Sequence, residues 1–319
     1  RAISASTRAQ VLEMASRLGY NPTVSTRFRR SGEPRPDDER PFCVLIQTDD
    51  EVIGAHTTVS RYLAGMSVAA EEFRRPLIVH YIRLCNREHA YEPDKLPAPL
   101  RDGRAVGAVL LHYYPAEVVR RMAEQFPCIS VIYDYRVAGV DSVGMNEMEM
   151  VSRMTDRLIA DGHRRIGFAG NLRRHSWACR RFAGRIASFS AAGIDLAPEL
   201  QFELDAGDNA PELYDDIADA VHSGMTALVA ANDEIGYTVI HQMHRRGIRV
   251  PEELSVTGFD GIEPPLGMPR LCSARMPAED MGAAAIRALA ERSSHPAMPV
   301  RQILLDCPWI PGETTGPHK

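Results

Sequence analysis

Several polar and aromatic side chains stand directly behind short apolar segments of this 319-residue sequence, in positions suited to a ligand with many hydroxyl groups. Carboxylates accept hydrogen bonds from hydroxyls, a guanidinium donates in a fixed fork, and an indole offers a flat apolar face to a sugar ring. The residues concerned are Asp50, Asp134, Asn232 and Asp260 at the segment ends, Arg181 at the opening of a helical stretch, and Trp177 one turn before it. This set of groups predicts a site for a sugar or polyol.

The same residue types also have a purely structural interpretation. Asp and Asn at the end of a strand often accept hydrogen bonds from the first turn of the next helix. Both interpretations stay open for each carboxylate and amide in the set. The pair Asn232 and Asp233 is the one most expected to cap a helix.

Motifs that would indicate an enzyme or a metal site are absent from the sequence. There is no GxGxxG after a strand, no GxxxxGK[ST] and no GxSxG, so no dinucleotide, phosphate-loop or elbow-nucleophile chemistry is predicted. His241 and His244 lie three residues apart without an HExxH pattern, and we interpret them as solvated or packing residues. We expect His163 to bond the backbone and Trp309 to lie in the core. No cofactor or metal is predicted, and the chain is not expected to be an enzyme.

The elements that must position these residues alternate between strands and helices. Short apolar runs typical of strands covered on both faces occupy 42–46, 77–82, 106–112, 128–134, 164–170, 226–231 and 254–259. Helical patterns occupy 58–74, 115–125, 146–161, 177–192, 211–223, 233–246 and 277–292. The alternation predicts an α/β fold with two doubly wound parallel sheets, divided near the turn Asp161-Gly162-His163. Ligands of such sheets bind beyond the carboxyl ends of the strands, where the predicted site residues stand.

A single amphipathic helix precedes this body. Ser4 or Ser6 can cap it, and its apolar face runs to about Leu18. One helix of this length is marginal by itself in water, so its partners are expected upstream of Arg1 or on another subunit. The stretch that follows, up to Pro41, is rich in Arg, Pro, Asp and Glu and has the composition of a linker.

Bulk composition excludes few functions. With 45% apolar and 25% charged residues and a net charge of -5, the chain is typical of soluble globular proteins, and the average charge carries no nucleic-acid signature. No apolar run is long enough for a membrane span, and no signal peptide is visible. The six cysteines are scattered and form no CxxC pair, which favours reduced thiols and a cytoplasmic protein.

Five motifs in order resemble the LacI/GalR family of bacterial transcriptional regulators across nearly the whole chain. They are ISASTRAQVLEMASRLGYNP, DGHRRIGFAG, RRFAGRIASFSAAG, TALVAANDEIGYTVIHQMHRRGIRVPEELSVTGFDGIE and ARMPAEDMGAAAIRAL. The resemblance implies a periplasmic-binding-protein-like fold of type I, a homodimer, and a repressor whose affinity for operator DNA is controlled by a small effector. The alternative is a sugar-binding receptor of the same fold without a DNA function.

The resemblance also assigns the N-terminal segment. Residues 1–32 would hold the third helix of a helix-turn-helix domain and a hinge, with the recognition helix expected upstream. The DNA-domain and hinge residues it implies are Thr7, Arg8, Tyr20, Asn21, Arg27, Phe28 and Arg29. Arg29 stands where the family has a Leu wedge for the minor groove, and the neighbouring Phe28 could supply the apolar wedge instead.

For the effector site, the family pattern matches Arg181, Asn232 and Asp260, and less closely Asp134 and Asp50. Residues 55–58 depart from the usual NPFF segment, which changes part of the usual sugar set. The implied organisation is a linker at 33–41 and an effector-binding and dimerisation domain at 42–319. Its N-subdomain would take 42–161 and 276–304, and its C-subdomain 162–275 and 305–319.

Overall fold

The computed structural model describes residues 40–48, 57–208 and 210–318. The predicted N-terminal helix and the linker up to Glu39 lie outside the described residues. The same holds for Asp50 and for the predicted DNA-contacting residues Thr7, Arg8, Tyr20, Asn21, Arg27, Phe28 and Arg29.

The first body is built on a parallel sheet whose strands in the described chain run in the order β11-β5-β4-β3-β1-β2. Its elements are β1 (Phe42–Thr48), α1 (Thr57–Glu72), β2 (Leu77–Arg83), α2 (Ala98–Arg101), β3 (Gly107–Leu111), α3 (Ala116–Ala123), β4 (Cys128–Val131), β5 (Asp141–Met145), α8 (Ala278–Ser294) and β11 (Gln302–Leu305). Successive side chains of β1 enter two different apolar clusters, because Val44 and Ile46 face one side and Cys43 and Leu45 the other. Helices α1 and α8 pack together on the first of these sides, which explains why β1 is apolar without alternation.

The second body is built on a smaller parallel sheet with the order β7-β6-β8-β9. Its elements are α4 (Glu147–Ala160), β6 (Ile166–Ala169), α5 (Ser176–Ala192), β7 (Gln201–Phe202), α6 (Pro211–His222), β8 (Ala227–Ala230), α7 (Asp233–Arg245), β9 (Ser255–Thr257), β10 (Ser273–Ala274) and β12 (Trp309–Ile310). Strands β10 and β12 pair antiparallel, and bridges at Thr257–Cys272 and Asp260–Arg275 attach them beside β9.

Helix α4 follows a strand of the first sheet but packs against α5 of the second body. The two helices approach so closely that a Cβ on Gly184 would lie 2.2 Å from the carbonyl oxygen of Met148. Ser152 and Ser188 share a hydrogen bond of 2.8 Å across the same contact. The predicted division near residues 161–163 assigns α4 to the first body, whereas its packing joins it to the second. We therefore infer that the first crossing between the bodies lies at Asn146.

The seven predicted strands and seven predicted helices are all present, with ends that differ by a few residues. Sequence patterns missed the strands β5, β7, β10, β11 and β12. Three of these, β7, β10 and β12, have only two residues each. Strand β5 reads DSVGM, and β11 is a half-exposed edge strand of four residues, so none has an apolar run as long as those of the predicted strands. No helix within the described ranges is long and apolar enough to cross a membrane.

Candidate functional site

Arg181, on the second turn of α5, is the centre of a buried polar cluster at the carboxyl ends of the second sheet's strands. Its side chain is 3% exposed. Nη1 donates to the carbonyl oxygen of Ala231, directly after β8, at 2.5 Å. Nη2 donates to Oδ1 of Asp260, behind β9, at 3.2 Å. The guanidinium carbon lies 3.8 Å from the ring centroid of Phe259, so the side chain is fixed in both plane and position.

Glu147, in the first turn of α4, completes this cluster and was not predicted from the sequence. Its carboxylate is 2% exposed and accepts from Nε of Arg181 at 3.3 Å. It also forms an ion pair with Arg180, whose side chain is only partly buried. In the sequence Glu147 stands in the run EMEM and resembles any acidic residue at a helix start. Its burial arises from the packing of α4 on α5, which no local pattern signals.

Asp260 is held in a strained backbone conformation that aims its carboxylate at Arg181. Its φ is +121°, a region that non-glycine residues rarely adopt. The backbone is fixed there by Asp260 N donating to Ala274 O at 2.8 Å and by Met276 N donating to Asp260 O at 3.1 Å. The side chain remains 28% exposed, so it can also accept a hydrogen bond from a bound molecule.

The electrostatics of the cluster bring the pKa of Asp260 close to neutral pH. Burial raises the pKa of Asp260 to about 7, and the negative charges of Asp233 and Glu147 act in the same direction. The Arg181 charge opposes this shift and does not cancel it. The group can therefore change between hydrogen-bond donor and acceptor around pH 7.

Asn232 caps a helix, as predicted, whereas Asp233 has a structural role other than the predicted cap. Asn232 Oδ1 accepts from Ile235 N at 2.9 Å and caps α7. The buried Asp233 carboxylate accepts from Ser273 Oγ at 2.6 Å and from Ile262 N at 2.8 Å, and so ties the loop behind β9 to β10. Burial raises the pKa of Asp233. Whether the amide of Asn232 also contacts a ligand stays a prediction.

Trp177 lies in the cluster, with two neighbours stacked on its ring. The guanidinium of Arg181 is 4.8 Å from one ring centroid, and the His175 ring stacks at 4.8 Å. His175 in turn contacts Asp205 Oδ1 at 2.8 Å. Asn171 and Arg174 also donate to Asp205, and although burial acts the other way, these bonds lower the pKa of its carboxyl. Trp177 is thus held in place, and these contacts reduce the ring area open to a sugar.

Asp134, after β4, is the predicted site residue on the first body that the structure describes. It forms a salt bridge with Arg136 at 2.6 Å and is partly exposed. The Arg136 guanidinium holds the pKa of Asp134 below its usual range, and the charge of Arg180 acts in the same direction. Because Arg180 extends from α5 and also pairs with Glu147, Asp134 is close enough to the second body for a charge beside the Arg181 cluster to act on it.

The remaining histidine and tryptophan predictions have mixed outcomes. His241 and His244 are exposed, and His163 contacts the carbonyl oxygen of Gly316 at 2.9 Å. Trp309, expected in the core, is 39% exposed, because β12 lies at an edge beside β10. The core prediction for Trp309 is therefore wrong. Among the described residues, no group of three His, Cys, Asp or Glu side chains could hold a metal ion.

Comparison with known proteins agrees with this architecture. Residues 155–315 match the family model of the periplasmic binding protein-like domain. The chain is 25% identical to the HTH-type transcriptional regulator CelR of Thermobifida fusca, over 95% of this chain and 88% of that protein. It is also 25% identical to the HTH-type transcriptional repressor PurR of Mannheimia succiniciproducens, over 92% of this chain and 85% of that one.

Solved structures show the same fold. The transcriptional regulator CelR in complex with cellobiose superposes with a TM-score of 0.71 at 21% identity, covering 98% of this chain and 91% of that one. A regulatory protein of the LacI family from Chloroflexus aggregans superposes with a TM-score of 0.71 at 19% identity, covering 87% of this chain and 99% of that one. The matched residues make up half of the chain and show that it belongs to the family of the periplasmic binding protein-like domain, and the relatives named above are transcriptional regulators.

Proposed function

We propose that the protein is a dimeric DNA-binding regulator, acting as a repressor, whose affinity for operator DNA depends on a sugar or polyol held between its two bodies. The observation that carries this proposal is the Arg181 guanidinium, buried and fixed between Glu147 and Asp260 at the strand ends. A preoriented guanidinium next to a half-open carboxylate suits a ligand with several hydroxyl groups.

Proteins similar to this chain support the proposal of a sugar-controlled regulator. Among the solved relatives are one in complex with cellobiose and others with bound sucrose or ribose. The named relatives are regulators of transcription and not enzymes. Because a regulator of this kind acts on operator DNA, we place the protein in the bacterial cytoplasm. The effector residues we propose are Asp50, Asp134, Trp177, Arg181, Asn232 and Asp260, now joined by Glu147.

The mechanism we propose is a shift between an open and a closed arrangement of the two bodies. The chain crosses between the sheets three times: after β5, between β10 and α8, and between β11 and β12. A ligand that contacts Arg181 on one body and Asp134 on the other favours closure, and closure alters the spacing of the N-terminal DNA-contacting segments in the dimer.

Operator binding of the natural protein tests this function. Fluorescence anisotropy with labelled promoter DNA is measured with and without cellobiose, sucrose, ribose and glucose. We expect at least one sugar to change the DNA affinity by about 5-fold to 150-fold, which is the usual range of such coupling. Specific DNA binding that no sugar or polyol alters would contradict the proposed effector class. Sugar binding without any DNA binding would instead favour a receptor of the same fold.

A further inference from the structure

A groove of about 540 Å³ opens between α4 and the chain that follows β12, and it shares no lining residue with the Arg181 cluster. One wall is formed by Met150, Arg153 and Arg157, whose spacings of three and four residues put them on one face of α4. The opposite wall includes Trp309 and Thr315.

The two arginines supply positive charge and hydrogen-bond donors to this groove. Arg153 pairs with Asp306, and Arg157 Nε donates to Asp161 Oδ2 at 3.0 Å. The side chains remain 45% and 71% exposed, respectively. A guanidinium has five N–H donors, and each of these ion pairs involves only part of that fork. The groove therefore presents donors suited to a carboxylate or phosphate group, which arginine can bind in a bidentate manner.

Trp309 adds a flat apolar surface to the same groove. Trp309 pairs with Ala274 between strands β10 and β12, which fixes its backbone. Its side chain nevertheless remains 39% exposed. Concave sites that combine an aromatic wall with a few charged groups are typical of small-molecule pockets. A half-exposed indole beside two guanidinium groups suits a molecule with both a planar ring and an acidic group.

We propose that this groove is a second ligand site for a small aromatic anion. Its position gives such a ligand a regulatory effect, because the Arg153–Asp306 ion pair joins α4 to the crossing between β11 and β12. An anion that binds Arg153 competes with Asp306 and so weakens the link between α4 and this crossing of the chain. The regulatory effect of such an anion on the effector response rests on the proposed function, whereas the binding of the anion in the groove does not.

Tryptophan fluorescence tests the site directly, because the chain contains only Trp177 and Trp309. In the Trp177→Phe variant, Trp309 is the remaining reporter. The probes are 2-naphthoate, 4-hydroxybenzoate and adenosine monophosphate. Cyclohexanecarboxylate, which lacks the aromatic ring, and 2-naphthalenemethanol, which lacks the charge, are the matched controls. We expect saturable quenching by at least one aromatic anion at or below about 1 mM, and none by the two controls.

Arginine variants in the same background show whether quenching reports the groove. Arg153→Gln and Arg157→Gln should each weaken binding at least about tenfold, since each removes a charged donor. Arg120→Gln, an exposed arginine on α3, is the control and should leave binding unchanged. If Arg153→Gln does not fold, Arg157→Gln decides, because its side chain is the more exposed. Absence of saturable quenching up to about 10 mM, or quenching that neither variant weakens, overturns the proposal. Sugar binding by the chain with both tryptophans is measured separately, so a failure of the effector function is distinguishable.

Discussion

Replacement of Glu147 by Gln tests whether the buried ion pair between Glu147 and Arg181 contributes to the free energy of unfolding. The carboxylate is 2% exposed and faces Arg181, itself 3% exposed, at 3.2 Å. Removing one partner from a buried pair costs about 3–5 kcal/mol, because the remaining charge is left without compensation. Gln keeps the shape and one acceptor oxygen, and Asp260 still faces Arg181, so we expect a loss of about 2–3 kcal/mol.

The assay is reversible urea unfolding, supported by thermal melting. For a chain of this size, each kcal/mol shifts the melting temperature by about 2–4 °C, so the expected loss corresponds to about 4–12 °C. Glu117→Gln is the matched control, because Glu117 also faces two arginines, Arg120 and Arg121, but in an exposed position within its own helix. We expect its stability to equal that of the wild type within error. Equal stability of Glu147→Gln and the control would refute the reasoning.

Three further outcomes follow from the same contacts. Because burial raises the pKa of Asp260 to about 7, folding favours its protonated form, and the contribution of Asp260 to stability falls as pH rises from about 4 to about 7. Urea unfolding across this range should show that Asp260→Asn loses up to about 4 kcal/mol less than the wild type, and equal pH dependence of the two proteins would contradict the raised pKa. Asn232→Ala should cost about 1 kcal/mol through loss of the α7 cap, while Asn232→Ser keeps the cap; if the Ser variant also binds the effector normally in a titration, the amide is not a ligand contact. Gly184→Ala should lower stability by about 1–3 kcal/mol in thermal melting, since its Cβ would meet the Met148 carbonyl, and a melting temperature equal to that of the wild type would contradict the close contact of α4 with α5.

The parallel strands were predictable because both sheet faces are covered, so that β1 begins with five consecutive apolar residues and β8 consists of apolar residues throughout. The strand-end rule likewise placed Arg181 and Asp260 in one site, where the structure brings them into contact. Glu147 could not be identified in this way, since its burial depends on a helix that leaves one sheet and packs on the other body.

The predictions for Trp309 and Asp134 from the sequence were incomplete for similar physical reasons. Trp309 has an apolar character that indicates a core position, but it lies in the two-residue strand β12, which pairs with β10, and its side chain is 39% exposed. Asp134 satisfies the strand-end rule, yet its neighbour Arg136 already pairs with it. The local pattern shows which residues reach the strand ends, but not which charges they meet there.

Calorimetric titration of one effector sugar into the wild type and into Asp260→Asn tests the central claim most directly. Cellobiose is the first probe, followed by sucrose, ribose and glucose, and the exposed Asp102→Asn variant is the control. The account predicts saturable binding to the wild type and the control, and a loss of at least about tenfold in affinity in Asp260→Asn at pH 8, where the carboxylate is mostly ionised. Unchanged affinity in Asp260→Asn would show that the sugar binds elsewhere and that the Arg181 cluster is not the effector site.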